Sequence, residues 1–552
     1  MDAKGLAELG ENLLAKKSPL NSLWQEVAEN FYPERADFTL RRALGTDFAA
    51  NVMTSYPIVC RRDMGNQIGT MLRPTAKPWF HAARKFADME GEGNMVKRYL
   101  QHFDETMRRA MYDRASGFKK ACKEGDHDFA TFGQLAMSIE LNRQANGLLF
   151  RTWHLRDMAW QEDENGEIGF IVRKWKPTVQ TAATTFGKDK LDPKMQRILD
   201  KSPFDEVEFI HIVCGAEMYD KKSQRPRWSI WWDCQNGHVV EERAIKNRHY
   251  VIPRWNTVSS SQYGSQYAYS PAVVAALPDA RLIQAMTFTL LEAGEKATNP
   301  PVVATADAVK SDVALYAGGI TWIDNEYDER LGDALRPLNQ DFRGFNFGVQ
   351  MAADTRQLIH KAFFIDTLSL PDRNPEMTAY EVGQRVQEYI RNALPLFEPM
   401  EDEYNSAVCE ETFDLMLAAN AFGSPATWPR ELSNMEIEFR FESPLHDVIE
   451  QQKGQKWLEA KSLMADAIAL DPSSAFVWDS RFALRDALNS IGVPARWLHT
   501  EDEVEAAAEQ QAQQAQAQQL LASLQQGSEA AANLAGAQKD MASAQSAGAM
   551  PG

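Results

Sequence analysis

Ile365-Asp366-Thr367-Leu368-Ser369-Leu370-Pro371-Asp372-Arg373-Asn374-Pro375-Glu376-Met377 separates two helical patterns. Its two prolines remove backbone donors and bias the residues before them out of the α region, so the stretch reads as a loop. Before it, residues 348–364 fit a helix ending on the apolar pair Phe363 and Phe364. After it, Thr378-Ala379-Tyr380-Glu381 has the spacing of a capping box, in which the Thr378 hydroxyl meets an orphan N–H and Glu381 reaches back. Val382, Val386, Tyr389, Ile390, Ala393 and Phe397 then recur at threes and fours, which gives one buried face. Pro395 and Pro399 sit inside a pattern that continues through Tyr404, Val408 and Leu415. Each proline deletes a helical hydrogen bond and crowds the preceding turn, so the helix is expected to kink, with two helices meeting at a turn as the alternative.

Outward from that interruption, the N-terminal part is mostly helical. Residues 13–32 form an amphipathic pattern stopped by Pro33, and a second helix fits 49–72, ended by Arg73-Pro74-Thr75-Ala76-Lys77-Pro78-Trp79-Phe80. Residues 93–114 and 116–132 fit two more. From 135 the period falls to two, and 136–141, 148–153 and 168–173 read as strands of a small sheet packed on those helices. Short helices are expected over 178–186, closed by Gly187, and over 192–200. Between 204 and 255 a compact β-rich module is expected, with a turn at Gln235-Asn236-Gly237. Its Arg225, Arg227, Arg243, Lys246, Arg248 and Arg254 interleave with tryptophans such as Trp228, a pattern that suits either a phosphate backbone or a solvated face over buried aromatics.

Residues 256–269 read as a linker. Ser270-Pro271 then starts a helix of more than 20 residues ending near 298, roughly 35 to 45 Å long. Residues 319–324 and 435–441 alternate as strands, and helices fit 447–469, 474–490 and 501 onward. The segment 509–552 is dominated by Gln, Ala and Ser, cannot bury a core, and is expected to be disordered.

The 552 residues hold 59 Lys plus Arg against 77 Asp plus Glu, a formal charge of −18. That balance argues against high-affinity wrapping of nucleic acid, which rests on neutralising phosphates. Cys60, Cys122, Cys214, Cys234 and Cys409 are odd in number and scattered, as expected of reduced, buried thiols made in a cytosol. Met1-Asp2-Ala3-Lys4-Gly5-Leu6 lacks the layout of a signal peptide. No apolar run approaches the roughly 20 residues a membrane helix needs, so a soluble chain without membrane insertion is expected. There is no G-x-x-x-x-G-K-[ST], because Gly187-Lys188 is followed by Asp189 and lacks the upstream glycine. Nor is there a G-x-G-x-x-G, H-E-x-x-H, G-x-S-x-G or EF-hand loop. No catalytic residue, metal or cofactor is expected, and carboxylate pairs such as Asp205/Glu206 and Asp402/Glu403 are common on solvated faces.

Four stretches resemble the portal, or head-to-tail connector, proteins of short-tailed bacteriophages. They are Leu23-Trp24-Gln25-Glu26-Val27-Ala28-Glu29-Asn30-Phe31-Tyr32-Pro33; Gly69-Thr70-Met71-Leu72-Arg73-Pro74 through Pro78-Trp79-Phe80; Tyr269-Ser270-Pro271 with Ala276-Leu277-Pro278-Asp279 and Asn299-Pro300-Pro301; and Glu376-Met377-Thr378-Ala379-Tyr380-Glu381-Val382. The resemblance implies an α+β portal fold with a mainly helical wing and crown, long stem helices and a small β-rich clip, assembled into a ring. It implies a wing at 1–175, stem helices at 176–202 and 259–300, a clip at 203–258, a second wing segment at 301–443 and a crown at 444–508. The loop 365–377 would face DNA through Asp366, Thr367, Ser369, Asp372, Arg373, Asn374 and Glu376, and 378–420 would be the kinked helix. With Arg373 as its one base, that loop would touch DNA loosely rather than grip it. A ring of about twelve copies would carry roughly −216 in charge, which keeps a polyanion from sticking.

The implied partners are further copies of this chain, double-stranded DNA in the channel, the terminase large subunit, a tail adaptor, and scaffolding and major capsid proteins. Arg225, Arg227, Trp228, Arg243, Lys246 and Arg248 would be clip contacts to a partner or to DNA. The alternatives are a scaffolding or minor capsid structural protein, which would be more uniformly helical, and a packaging enzyme, which would carry a P-loop or clustered acidic ligands.

Overall fold

The computed structural model describes residues 1–304 apart from 44, 76, 86–93 and 258–265. Beyond these it describes 309, 313, 322, 330, 335–337, 343–368, 391, 400–424, 428–429, 432, 437–441 and 444–471, with scattered positions further on. The chain divides into two compact units, one of residues 1–81, 106–422 and 439–448, the other of 82–105, 423–438 and 449–552.

In the first unit, two helices stand where one was expected, α1 (Ala3–Lys16) and α2 (Ser18–Phe31). Pro19, in the first turn of α2, has no N–H to lose there and restarts the helix. Between them Lys17 is buried, its Nζ donating to the carbonyls of Leu155 at 2.6 Å, Arg156 at 3.3 Å and Met158. All three ammonium donors are thereby used, and burial lowers the pKa to about 7.

Helix α3 (Tyr56–Leu72) begins at the Tyr56-Pro57 pair rather than near 49, and after β1 (Phe80–Arg84) come α4 (Asn94–Met111) and α5 (Phe118–Phe132). Two glycines on α3 set how closely α5 approaches. A Cβ on Gly65 would lie 2.4 Å from His127 Nδ1, and one on Gly69 would lie 2.7 Å from Asp126 Oδ2. Polar side chains of α5 therefore rest directly against the α3 backbone.

Strands β2 (Met137–Leu141) and β3 (Leu148–Thr152), expected as strands of a small sheet, pair as an antiparallel hairpin. The next strand, β4 (Met158–Glu162), was not anticipated; it pairs with β5 (Ile168–Trp175). Two short capped helices follow, α6 (Val179–Phe186), with Thr178 at its N-cap, and α7 (Pro193–Lys201), with Asp192. Then come β6 (Phe209–Gly215), α8 (Ala216–Tyr219), β7 (Arg227–Asp233), β8 (His238–Ile245) and β9 (Tyr250–Val251).

The strand-rich module does not begin at 204, because β5 pairs along β6 from Phe170↔Cys214 to Trp175↔Phe209. The result is one antiparallel meander, β4-β5-β6-β7-β8, while β9 joins the hairpin in the order β3-β2-β9. Successive side chains point to opposite faces. Accordingly Ile210 and Ile212 pack with Leu6 and Ala7 of α1 on one face, and Phe209 packs with Val179, Ala182 and Met195 of α6 and α7 on the other.

The long helix forms as expected, α9 (Pro271–Thr298), with Ser270 Oγ accepting from Val273 N at its start. By length and composition it could cross a membrane, which corrects the reading that no apolar run comes close. Its ion pairs, Arg281–Glu26 at 2.6 Å and Lys296–Glu292 at 2.7 Å, put charge on its flanks. Beyond it β10 (Val302–Ala304) and β11 (Leu335–Pro337) pair antiparallel, and α10 (Arg343–Ala362) returns along α9 with Gly348 against Leu290. A short turn of helix, α11 (Ile365–Leu368), a π-helical turn over Glu401–Ser406, α12 (Ala407–Ala418), β12 (Ile437–Phe441) and α13 (Pro444–Leu470) complete the described elements.

In the second unit Phe103 packs against Trp428 with ring centroids 5.0 Å apart, and Asp104 Oδ1 accepts from Ala82 N at 2.8 Å. The expected helices after 473, the strand at 319–324 and the segment 509–552 lie largely outside the described residues.

Candidate functional site

The proline-marked loop enters the structure only at its start. Residues 365–368 are helical where a loop was expected. Helix α10 ends at Ala362, Phe363 is buried with its ring 5.4 Å from that of Phe31, and Phe364 turns the chain at φ +55° before the helix resumes. Asp366 is exposed, its carboxylate 3.2 Å from His360 Nδ1, and Thr367 belongs to the same turn. Ser369, Asp372, Arg373, Asn374, Glu376, Thr378, Glu381, Pro395 and Pro399 lie outside the described residues.

Immediately beyond Pro399 the chain is π-helical from Glu401 to Ser406 before α12 resumes the α pitch. Such a widened turn marks an interrupted hydrogen-bond ladder. The π turn and α12 also bring acidic side chains to the segments that follow β8 and β9. Glu403 accepts from Arg254 N at 2.7 Å, Glu411 from Arg248 N at 2.6 Å and His249 N at 3.3 Å, and Asp414 pairs with Lys246 at 2.9 Å. Burial raises the Glu411 pKa to about 7, although the Arg248 amide and the charges of Arg248 and Arg227 pull it back.

The basic residues singled out in the sequence therefore separate. Lys246 is spent on Asp414, Arg248 on Glu167 at 3.2 Å, and Arg254 on Glu162. Arg227 opens β7 half-buried, its pKa lowered by burial and by Arg248. Trp228 meets the ring of Tyr219 edge-on at 5.2 Å, and Arg243 is exposed on β8 opposite Ser229. Arg225 is exposed on the loop before β7, with one guanidinium nitrogen on the Ala244 carbonyl at 3.1 Å.

The most heavily built polar sites are interior, and reading the sequence missed them. Asp126, His127 and Asp128 stand in a row on α5, each facing an arginine from a different segment. Arg73 pairs with Asp126 and donates to Asn405 Oδ1 at 2.7 Å, and its guanidinium lies 4.3 Å from the Tyr404 ring centre. Arg61 meets His127 Nδ1 at 3.1 Å, donates to the Phe31 carbonyl and covers the Tyr32 ring at 3.9 Å. Arg35 grips Asp128 with two bonds, of 3.0 and 2.6 Å. Burial and the Arg61 charge lower the His127 pKa to about 4. Three adjacent polar residues leading into the apolar end of α5, Phe129-Ala130-Thr131-Phe132, were the available signal.

A second network lies within the sheets. Arg173 donates to the Tyr250 hydroxyl at 2.7 Å, which lies 2.6 Å from His211 Nδ1, while His211 Nε2 is 2.8 Å from Ser229 Oγ. Trp231 stacks on His211 at 4.2 Å. Burial holds both imidazoles neutral, lowering His249 to about 3 and His211 well below its usual value. Among the described residues no group of three His, Cys, Asp or Glu side chains is placed to hold a metal.

These clamps fall where the recognisable segments fall. Phe31-Tyr32-Pro33 ends α2 beside Arg35 and Arg61, and Leu72-Arg73-Pro74 delivers Arg73. Compared with known proteins, the chain matches the profile of the family described as bacteriophage head to tail connecting protein over residues 3–498. The chain belongs to that family. As a head-to-tail connector it is a member of a structural family. It is 24% identical over 540 residues to a probable portal protein of Bordetella phage BPP-1, covering 93% of this chain and 92% of that relative. It is 21% identical over 523 residues to the portal protein of Salmonella phage epsilon15, covering 92% and 90%. A solved chain in the virion of a native gene transfer agent particle aligns over 79% of this connector and 95% of its own length at 9% identity and a TM-score of 0.34, too loose a likeness to fix any arrangement.

Proposed function

We propose that this connector is a portal subunit, about twelve copies of which close into a ring at one capsid vertex around a channel for double-stranded DNA. DNA enters through it during packaging, when the terminase large subunit is docked, and leaves through it at ejection, when a tail adaptor has replaced the motor. Scaffolding and major capsid proteins set the ring into the shell; before that the subunit resides in the host cytoplasm. The loop 365–377 faces DNA, the helix interrupted near Pro395 and Pro399 carries that loop, and the strand-rich module docks partners. The chain supplies geometry and no chemistry of its own.

One observation carries the ring. Val274, Leu282, Phe288 and Leu291 of α9 and Phe345, Phe347, Val349, Met351 and Leu358 of α10 are all exposed. With about half of each side chain in water, they leave on the order of 700 Å² of apolar surface uncovered on the two helices, and a ring would place that surface against neighbouring copies. The ion pairs on α9 make lipid a poor cover, so we infer that further copies of the chain cover it. The purified protein should run at the mass of about a dozen chains and show rings with a central hole in negative stain. A stable monomer that hydrolyses ATP or cleaves DNA would sink the reading.

A further inference from the structure

The link between β8 and β9 turns two successive amides toward α12. Arg248 N donates to Glu411 Oε1 at 2.6 Å and His249 N donates to Glu411 Oε2 at 3.3 Å, so each carboxylate oxygen takes one N–H. The donors lie 163 and 162 residues from the acceptor, so this is no local turn or helix cap. His249 sits at φ +64°, in the left-handed region that is uncommon outside glycine. Its ring is held there edge-on to His211 at 4.8 Å and to Tyr250 at 4.7 Å. Successive amides at such a turn form a concave nest that binds anions.

Two other pairs of amides show what is particular to this one. Phe38 N and Thr39 N are both taken by Gln25 Oε1, at 2.8 and 3.2 Å, and Met53 N and Thr54 N by Gln284 Oε1, at 2.7 and 3.0 Å. A neutral acceptor suffices in both places. At 248–249 the acceptor is a carboxylate only 5% exposed, and the charges of Arg248 and Arg227 face it.

We propose that the 248–249 corner is a carboxylate-binding site, which Glu411 fills as an internal ligand and which a free carboxylate of the same shape can fill in its place. Helix α12 is then held to the strands as a bound partner would be, by one anionic head in a receptor of backbone N–H groups and guanidinium charge. Glu403 on Arg254 and Asp414 on Lys246 flank that central contact. Withdrawal of a single side chain empties the site, so the docking of α12 is releasable. The inference is independent of the portal reading.

Glu411→Ala removes a CH2–COO⁻ group, and acetate supplies the same heavy atoms. The full-length E411A protein is melted at pH 8, where Glu411 of the wild type is largely ionised, across a sodium acetate series with sodium chloride at matched ionic strength as the reference. E411A should melt below the wild type and recover saturably with acetate, since a ligand at roughly ten times its dissociation constant raises the folded-to-unfolded ratio about elevenfold. The wild type, whose site is filled, and E411Q, whose amide occupies the same space, should respond to acetate no more than to chloride. Amide exchange over residues 246–252 locates the effect, being fast in E411A and slowed by acetate. If E411A does not fold alone, its refolding yield against acetate reads the same binding. No recovery with acetate, equal recovery with chloride, an equal gain in the wild type, or recovery that leaves exchange at 246–252 unchanged would each overturn the proposal.

Discussion

Two sets of basic residues in this connector look alike on paper and behave oppositely in the fold. Arg35, Arg73, Lys246, Arg248 and Arg254 each hold a carboxylate, whereas among the described residues Lys221, Lys222 and Arg225 hold none. A run of arginines and tryptophans from 225 to 254 reads as one basic surface, yet Asp414, Glu167 and Glu162 take up Lys246, Arg248 and Arg254, half of its six cations. Charge density in a sequence does not measure charge available to a partner. What remains after internal pairing does.

The deepest pair offers the strongest way to break this contrast. Arg73→Met leaves Asp126 buried without its cation, and breaking a buried pair in this way costs about 3 to 5 kcal/mol. A large fall in melting temperature is expected. The R73M/D126L double variant should recover most of it, because replacing both partners by apolar groups removes the stranded charge. If R73M melted like the wild type, the clamp would be decoration.

The intermediate case is Glu411, where pH supplies the lever. Its folded pKa of about 7 lies above the ordinary carboxylate value of 4.5. Between those values the folded chain keeps a proton that the unfolded chain has lost, so Glu411 makes stability fall as pH rises. His249 at about 3, His127 at about 4 and His211, also well below its usual value, act in the other sense, because only the unfolded chain protonates them as pH drops through 6.5. The histidines outnumber Glu411, so stability should rise from pH 4.5 to 6.5. Glu411→Gln should steepen that rise by up to about 1.4 kcal/mol per pH unit. Parallel melting curves against pH for the two proteins would show that Glu411 carries no proton in that range.

The smallest effect belongs to the exposed pair. Lys246→Ala gives up an ion pair whose lysine is 65% exposed, and should cost under about 1 kcal/mol, less at high salt. A loss as large as that of R73M would mean that Lys246 anchors α12 rather than decorating it.

Much of this fold was legible because it is local. The helices α4, α5, α9 and α10 follow from periodicity and caps, as Ser270-Pro271 shows for α9. The break at Lys17 was also written locally, in Ser18-Pro19, but a continuous apolar stripe on either side masks it. Strand β4 escaped because Met158, Ala159 and Trp160 are all buried, which erases the alternation that marks a strand. The clamps were illegible for a different reason. Arg73 and Asp126 are 53 residues apart, Arg35 and Asp128 are 93, and no local pattern links them. Gly65 and Gly69, four apart on α3, carried half of that message, since only a close neighbour makes both necessary.

Lys17 turns the N-terminal helix junction into something an experimenter can time. Its amine is shut behind three carbonyls, so a reagent that acylates lysines in water can mark it only while α1 and α2 stand apart from the strand they cover. The growth of that single adduct, followed by mass spectrometry, is a clock for the opening of this corner of the molecule, and it runs equally well in a free subunit and in a finished particle.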